Sequence, residues 1–331
     1  MVYLFLLLGF LFLVKGADYF VDGSSSIAKY FKVPPLIIGL TIVAFGTSAP
    51  EAAVSITASI QGQNGIALGN VIGSNIFNLL CVVGMSAFIS TLPVKKSILL
   101  KEFPFLLLSS IVLFILCNDF VFQKSSISIL SSGDGLILLL FFIIFIYYLL
   151  GVALKSRKET KIDYDDLVLS KDNSSGNTCT CEISLSKALI MSIVGIIGIV
   201  LGGKLVVDCA SDIAMTFGVS EKMIGLTIVS IGTSLPEFVT SVIAASKGES
   251  DIALGNVIGS NVFNILFILG LSSLISPIPV DPSLFFDISI MILITIVTYL
   301  FSIRKKDVNK FESIILIAAY AIYMVLVIFK V

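Results

Sequence analysis

Two glutamates stand alone in apolar parts of this chain, each at the end of the same short motif. Glu51 ends the sequence GLTIVAFGTSAPE, and Glu237 ends GLTIVSIGTSLPE. A second element, GNVIGSNxFN, follows each glutamate at the same distance and starts at Gly69 and Gly255. The spacing from Glu51 to Glu237, here called the repeat offset, relates the two copies without a gap, and most paired positions are identical. Repeated acidic, glycine-rich motifs in apolar sequence predict an ion-binding site assembled from two repeats.

Each copy concentrates oxygen atoms around its glutamate. Proline has no amide hydrogen, so Pro50 and Pro236 are expected to interrupt their helices and to free the carbonyl four residues earlier. In a bilayer, such backbone survives only where it lines a cavity or is buried in protein. Hydroxyl groups precede each proline, and the second element adds a serine and an asparagine four residues apart. The candidate side chains are Thr47, Ser48, Glu51, Ser74 and Asn78, and, in the second copy, Thr233, Ser234, Glu237, Ser260 and Asn264.

The predicted site contains oxygen ligands only. Neither element includes a basic residue, and the chain has no histidine. Oxygen ligands favour hard cations such as Ca²⁺ and Na⁺ over zinc or copper. Two carboxylates inside a membrane, each costing about 2.5–3.5 kcal/mol, need a counter-charge, which one Ca²⁺, two Na⁺ or two protons supply. Competition among these cations for the same oxygens predicts an antiporter.

The composition predicts a polytopic membrane protein. Hydrophobic residues make up 57% of the 331 residues and charged residues 13%, against roughly 25% charged in soluble domains. Ten segments can be assigned as membrane spans. They are residues 2–30, 34–60, 66–90, 97–117, 134–154, 187–215, 221–246, 252–275, 283–303 and 311–330. The first lacks a basic start and a small-residue cleavage site, so we expect a retained helix and not a signal peptide.

The expected fold is all-α, with ten transmembrane helices in two inverted five-helix repeats. Residues 1–154 and 187–331 form the repeats, and the polar residues 155–186 form a cytoplasmic linker. Because five is an odd number, the second repeat enters the membrane from the opposite side, and the motifs meet near the midplane. Helices 2, 3, 7 and 8, which carry the motifs, are expected to be discontinuous. Helices 1 and 6 lack the motifs and are expected to slide against the core.

Charge placement predicts the orientation. With the N-terminus outside, sixteen basic residues fall on the cytoplasmic side and four on the outer side, so we expect both termini outside. Within helices 1 and 6, Lys15 with Asp18 and Lys204 with Asp208 have the spacing of intrahelical ion pairs. No basic stripe alternates with aromatic residues, so nucleic acid is not an expected partner.

The two elements resemble the α-repeats of the calcium/cation antiporter superfamily, particularly those of the sodium/calcium exchangers. The resemblance rests on G-T-S-x-P-E and G-N-V-I-G-S-N-x-F-N and extends over nearly the whole chain. It implies that Glu51 and Glu237 bind Ca²⁺ and Na⁺ alternately, while the serine, threonine and asparagine candidates complete the cage. It also implies that the backbone carbonyls of Ala44 and Ser230 help to hold Na⁺. The transported ions are the only ligands implied, and no cofactor is expected.

This sequence departs from many exchangers at one pair of positions. They carry an aspartate at one of the positions matching Asn78 and Asn264, and in potassium-dependent relatives the second-repeat aspartate is tied to K⁺. Both residues are asparagine here, which argues against K⁺ co-transport and leaves two formal charges in the site. Eukaryotic members also carry a large calcium-sensing insert that the short linker cannot supply. The resemblance therefore implies a compact, prokaryotic-type exchanger of the plasma membrane.

Several other functions are open at this point. A Ca²⁺/H⁺ antiporter is the nearest alternative, because glutamates can carry protons. A passive cation channel would use the same oxygens without coupling. An intramembrane hydrolase with Ser48 or Ser234 as nucleophile is disfavoured, because the motif offers no base to activate a serine. We therefore expect a transporter and no enzymatic activity.

Overall fold

The protein is helical almost throughout the residues that the structure describes. A computed structural model describes residues 2–122, 127–169, 184–217 and 230–330. Up to residue 169 the helices are α1 (Val2–Phe31), α2 (Pro35–Ile38), α3 (Ala44–Thr47), α4 (Ala49–Ile60), α5 (Asn64–Phe77), α6 (Val83–Ile89), α7 (Phe103–Leu116), α8 (Asp119–Phe122) and α9 (Ser132–Leu169). Beyond residue 184 they are α10 (Leu185–Thr216), α11 (Ser230–Thr233), α12 (Leu235–Ser246), α13 (Ser250–Phe263), α14 (Leu269–Ile275), α15 (Pro282–Lys305) and α16 (Lys310–Lys330).

Eight helices in the described part of the chain are long and apolar enough to cross a membrane. They cover Val2–Phe31, Gly65–Ile89, Ile98–Leu116, Ser132–Arg157, Leu185–Ile213, Ser250–Ile275, Leu284–Lys305 and Lys310–Val327. A ninth candidate is the pair Pro35–Thr47 and Ala49–Ile60, which is bent by 50°. These helices identify a membrane protein. The predicted segment 221–246 begins outside the described residues, so the number of ten spans stays a prediction.

The helices that carry the glutamates break just before their prolines. Ser48 (φ −80°, ψ 6°) separates α3 from α4, and Ser234 (φ −91°, ψ 4°) separates α11 from α12. The prolines then occupy the first turn of the following helix, where a missing amide hydrogen costs nothing. Glu51 and Glu237 fall in the same first turns, beside the positive end of each helix dipole. The predicted interruption is therefore present in the second predicted span, residues 34–60, and in the described part of the seventh, residues 221–246.

The third and eighth of the ten predicted spans, residues 66–90 and 252–275, are continuous. The prediction that these two helices are broken was wrong. Gly65–Ile89 and Ser250–Ile275 each form one apolar span, and neither contains a proline that would interrupt the hydrogen-bond ladder. Each span instead widens into a π-helical turn, Asn78–Val82 and Asn264–Ile268. Such turns are frequent at functional sites. Each begins at the asparagine that the sequence indicated as a ligand.

These two spans form the centre of the molecule. In the most apolar window of Ser250–Ile275, 94% of the residues are buried, and in that of Gly65–Ile89 72% are buried. The corresponding share is only 17% for Lys310–Val327, whose apolar side chains point outward. The second motif element therefore lies in the core, and the outer helices present the surface expected to face lipid.

Two short antiparallel strand pairs tie loops together at opposite ends of the bundle. Strand β1 (Leu92–Pro93) pairs with β4 (Asp307–Val308), and β2 (Ile129–Leu130) pairs with β3 (Ile278–Pro279). Since β1 precedes the span Ile98–Leu116 and β2 follows it, the two pairs lie at its two ends. At the β1/β4 end, Lys95 forms an ion pair with Asp251 at the start of α13.

Helices α1 and α10 pack side by side in opposite directions. A Cβ added to Gly9, Gly16 or Gly23 would lie 3.1, 2.7 or 2.8 Å from the backbone nitrogen of Val206, Ile199 or Ser192, respectively. The contact moves towards the start of α10 as it moves towards the end of α1, so the helices are antiparallel. Small residues permit this close backbone approach, and the two helices form one packed unit.

We expect Gly16→Leu to destabilise the protein strongly, because the new side chain would have to push two backbones apart. Overpacking a tight contact costs about 1–3 kcal/mol, which thermal unfolding in detergent measures as a lower midpoint. The matched control is Gly151→Leu on α9, where an added Cβ meets nothing within 4 Å. Equal losses of midpoint in the two variants would contradict the tight α1–α10 contact.

The charges of α1 pair across the molecule, not along the helix. Lys247 Nζ lies 2.6 Å from Oδ1 of Asp18 and 2.6 Å from Oδ1 of Asp22. The predicted pairing of Asp18 with Lys15 is thereby replaced by a contact with the turn after α12. Lys204 and Asp208 are both exposed, and no ion pair joins them within the described residues. Helix spacing alone does not reveal partners from a distant part of the chain.

Candidate functional site

Each of the two glutamates is bound by the motif of the other repeat. Glu51 and Glu237 are both fully buried. Ser48 Oγ donates to Glu237 Oε1 at 2.7 Å, and Ser234 Oγ donates to Glu51 Oε1 at 2.9 Å. The two hydrogen bonds are reciprocal between the repeats, as contacts are in a two-fold interface. Because each serine lies three residues before one glutamate and binds the other, the two acids share one neighbourhood.

The threonines also contact the opposite repeat. Thr47 Oγ1 donates to Asn256 Oδ1 at 3.0 Å, and Thr233 Oγ1 donates to Asn70 Oδ1 at 3.4 Å. Thr47 was expected to share a helix face with Glu51 if the break was mild. The 50° bend between α3 and α4 separates the two residues onto different helices and leaves Thr47 in contact with α13.

The other predicted hydroxyl groups line the same neighbourhood. Ser74 Oγ lies 2.9 Å from Ser234 Oγ. Ser260 Oγ lies 3.4 Å from Glu237 Oε1 and 3.4 Å from the carbonyl oxygen of Ala44. The Ala44 carbonyl therefore faces this neighbourhood, while its role in holding Na⁺ stays a prediction. Ser230 begins α11, but its side chain and residues 224–229 of the second copy lie outside the described residues.

The amide groups of Asn78 and Asn264 are held in a defined orientation by two further asparagines. Asn78 Nδ2 donates to Asn261 Oδ1 at 3.0 Å, and Asn264 Nδ2 donates to Asn75 Oδ1 at 3.2 Å. Asn75 and Asn261 in turn donate to each other's backbone carbonyl, at 3.3 and 3.2 Å. With their nitrogen atoms occupied, Asn78 and Asn264 each have a carbonyl oxygen left for another ligand.

Four asparagines belong to this arrangement although they were not among the predicted ligands. They are Asn70, Asn75, Asn256 and Asn261. Asn70 and Asn256 also donate to Ser55 and Ser241, at 3.1 and 2.9 Å. One signal in the sequence marks them, since all four are identical between the two copies of GNVIGSN. Asn70 also lies four residues before Ser74, and hence on the same helix face.

Four buried oxygen atoms in this site have no hydrogen-bond partner. They are Oε2 of Glu51, Oε2 of Glu237, Oδ1 of Asn78 and Oδ1 of Asn264. Leaving a buried acceptor without a partner costs about 1–3 kcal/mol. These four oxygens are therefore suited to a positively charged ligand. Both pairs match under the repeat offset, and each repeat therefore contributes one carboxylate and one amide oxygen.

The chemistry of the donor set fits a hard cation. Carboxylate, amide and hydroxyl oxygens are the ligands that Ca²⁺ accepts. No group of three or more acidic, histidine or cysteine side chains that could hold a metal occurs in the described ranges. Among the described residues, Glu51 and Glu237 are the carboxylates that meet here, and one divalent or two monovalent cations would neutralise them.

Known proteins share both the sequence and the fold. The sequence profile described as "Sodium/calcium exchanger protein" matches residues 1–151 and 187–329. The inner membrane protein YrbG of Escherichia coli (strain K12) is 35% identical over 302 residues, covering 91% of this chain and 88% of its own length. The sodium/calcium exchanger MaX1 of Methanosarcina acetivorans is 38% identical over 346 residues, covering 98% and 97%. A solved structure of the sodium-calcium exchanger NCX_Mj, 34% identical, superposes with a TM-score of 0.80 and covers 98% of this chain and 99% of that chain. This chain therefore belongs to the sodium/calcium exchanger protein family.

Proposed function

We propose that this protein is a secondary active antiporter that exchanges Na⁺ for Ca²⁺ across a prokaryotic plasma membrane by alternating access. The four partnerless buried oxygens on the glutamates and on Asn78 and Asn264 carry this proposal. They come equally from the two repeats, and two of them belong to the carboxylates that carry the negative charges. One Ca²⁺ or two Na⁺ neutralise these charges, so the ions compete for the same oxygens. Relatives that are named sodium/calcium exchangers support this choice of ions.

The proposed ligand set has a charged centre and a neutral shell. Glu51 and Glu237 supply the carboxylates, and the two partnerless amide oxygens complete the centre. Ca²⁺ takes six to eight oxygen ligands, so hydroxyl oxygens also have to contribute. The neutral candidates are Thr47, Ser48, Ser74, Thr233, Ser234 and Ser260, with the backbone carbonyls of Ala44 and Ser230 as further ligands for Na⁺.

Two inverted repeats, residues 1–154 and 187–331 joined by residues 155–186, are part of the proposal. The antiparallel packing of α1 and α10 supports inversion, because these helices occupy matching positions under the repeat offset. The strands β1 and β3 also match under this offset, yet they pair at opposite ends of the bundle. Inverted repeats place a transport site near the midplane. The positive-inside rule supports placing both termini outside.

Purified protein in liposomes is expected to take up labelled calcium when the vesicles contain sodium and the medium does not. Outward flow of Na⁺ down its gradient then drives Ca²⁺ inward through the same site. Vesicles loaded with potassium, and sodium-loaded vesicles treated with a sodium ionophore, are the controls and should not take up calcium. Calcium uptake that ignores the imposed sodium gradient would overturn the proposed coupling.

A Ca²⁺/H⁺ antiporter is the second candidate, because two protons neutralise the two buried carboxylates as well as two Na⁺ do. The absence of a basic residue from the site leaves both carboxylates free to take protons. Calcium flux driven by a pH gradient in sodium-free medium would favour this candidate. Flux that needs sodium at every pH would exclude it.

A further inference from the structure

One end of α1 is held to the core by a cluster of charged contacts. Lys247 Nζ lies 2.6 Å from Oδ1 of both Asp18 and Asp22 and donates to the Asp18 backbone carbonyl at 3.1 Å. Two residues further on, Glu249 Oε1 accepts a hydrogen bond from Ser25 Oγ at 2.7 Å. We call these five residues the latch. It joins α1, which carries no part of the ion site, to the turn between α12 and α13.

The matching place in the other repeat has the same backbone and lacks the charges. The turns after α4 and α12 both contain a glycine with positive φ, +74° at Gly62 and +78° at Gly248. On either side of Gly62, however, Gln61 and Gln63 stand where the latch has Lys247 and Glu249. Neutral glutamines cannot form ion pairs with α10.

The partners on α10 differ from those on α1 in the same way. Under the repeat offset, Lys204, Asp208 and Ser211 match Asp18, Asp22 and Ser25. The Ser211 hydroxyl is buried without a hydrogen-bond partner, whereas Ser25 binds Glu249. No ion pair of Asp208 occurs within the described residues. Within the part of the chain that the structure describes, the latch therefore exists at one end of the molecule only.

The packing of the helices is asymmetric at the same two places. α1 packs along α12, while the matching helices α10 and α4 make no comparable contact in the described ranges. In an alternating-access cycle, α1 docked on α12 in one conformation would correspond to α10 docked on α4 in the other. The two conformations would have similar energy if every contact of one repeat had a matching contact in the other repeat. An interaction present in only one conformation shifts the equilibrium towards that conformation. The latch is such an interaction.

The tight α1–α10 contact extends the effect of the latch to both helices. Because backbone nitrogens of α10 lie against Gly9, Gly16 and Gly23, α1 cannot leave the α12–α13 turn without carrying α10 along. Releasing one end would therefore allow α10 to dock on the other repeat. We therefore expect α1 and α10, which are the predicted helices 1 and 6, to slide together against the core.

We propose that the latch biases the exchanger towards the conformation in which α1 is docked on the α12–α13 turn. The proposal rests on the alternating access of the proposed function. The two ion pairs share the Lys247 ammonium group and are partly exposed, and such an interaction changes a population ratio by roughly two- to fivefold. The latch is thus a weak, one-sided bias, which the transported ions can overcome.

Hydrogen–deuterium exchange of the purified protein, without any ion gradient, tests the latch independently of sodium coupling. Lys247→Gln should speed exchange of residues 18–31 by roughly two- to fivefold, as expected for lost ion pairs. The matched control is Lys95→Gln, which removes the ion pair with Asp251 at the same end and joins core elements only. It should leave residues 18–31 unchanged. Exchange of these residues that is equal to the wild type in Lys247→Gln, or raised equally in both variants, would overturn the proposal.

A second variant builds the missing latch at the other end. Gln61→Lys combined with Lys204→Asp places a lysine opposite two aspartates, as at the native latch. Exchange of residues 204–217 should slow, and exchange of residues 18–31 should speed although no residue there has changed. Slower exchange at residues 204–217 alone would show that the contact is local and would overturn the bias on alternation. Absence of sodium-driven calcium uptake would overturn the proposed function. The hydrogen–deuterium exchange of both variants could still be interpreted, because it is measured without an ion gradient.

Discussion

Glu51→Gln and Glu237→Gln are each expected to abolish sodium-driven calcium uptake. Glutamine keeps the shape of glutamate and an oxygen for the serine of the other repeat, but it removes half of the negative charge in the site. It also places an amide nitrogen, which cannot bind a cation, beside the ligands. Each carboxylate would form a buried ion pair with the bound cation, and removing one member of such a pair costs about 3–5 kcal/mol, roughly a hundredfold or more in affinity. Uptake assays in liposomes measure the loss of transport.

The matched control is Glu102→Gln, because Glu102 is a buried carboxyl outside the motifs. It is 1% exposed, and its Oε1 accepts a hydrogen bond from Tyr148 at 2.7 Å. This variant should retain uptake and should still be stabilised against heat by Ca²⁺, as a ligand of the folded state must do. The two site variants should lose that stabilisation. Wild-type uptake in a well-folded Glu51→Gln or Glu237→Gln protein would contradict the assignment of the ligands.

Asn75→Leu is expected to raise the calcium concentration for half-maximal uptake about ten- to hundredfold. Asn75 touches no predicted ligand oxygen, but its Oδ1 holds the Asn264 amide in place, and its Nδ2 donates to the Asn261 carbonyl. Without it, the Asn264 side chain can rotate its nitrogen towards the site. Leaving a buried polar group unpaired costs about 1–3 kcal/mol. Uptake measured over a range of calcium concentrations separates this change of affinity from a loss of folded protein.

Asn309→Ala is the control for general destabilisation. The Asn309 side chain accepts hydrogen bonds from the amides of Phe311 and Glu312 at the start of α16, at 2.9 and 3.2 Å. Losing such a helix cap costs about 0.5–2 kcal/mol of stability, without a change in the ion site. The half-saturating calcium concentration should stay at its wild-type value. If both variants weaken uptake in proportion to their unfolding midpoints, Asn75 has no positioning role.

The sequence alone predicted a membrane protein of the exchanger family. It also singled out two glutamates, which the structure places in one buried neighbourhood. Apolar segments separated by polar loops indicate a membrane protein, because the bilayer selects residue types without regard to tertiary contacts. The breaks before Pro50 and Pro236 were predicted for a similar reason, since proline acts on the backbone of its own helix. The duplication indicated that Glu51 and Glu237 would act together. All of these inferences depend on residues close together along the chain, or on the comparison of two copies.

Only the tertiary structure decided which groups meet. Ser48 binds Glu237, 189 residues away, and Asp18 binds Lys247 instead of its neighbour Lys15. The third and eighth predicted spans widen into the π-helical turns Asn78–Val82 and Asn264–Ile268, where broken helices were expected. Hydrogen-bond partners and ion pairs across the repeats depend on the direction in which each helix presents its side chains after packing. Local sequence determines where a helix forms and breaks, whereas the packing of distant helices determines what each side chain touches.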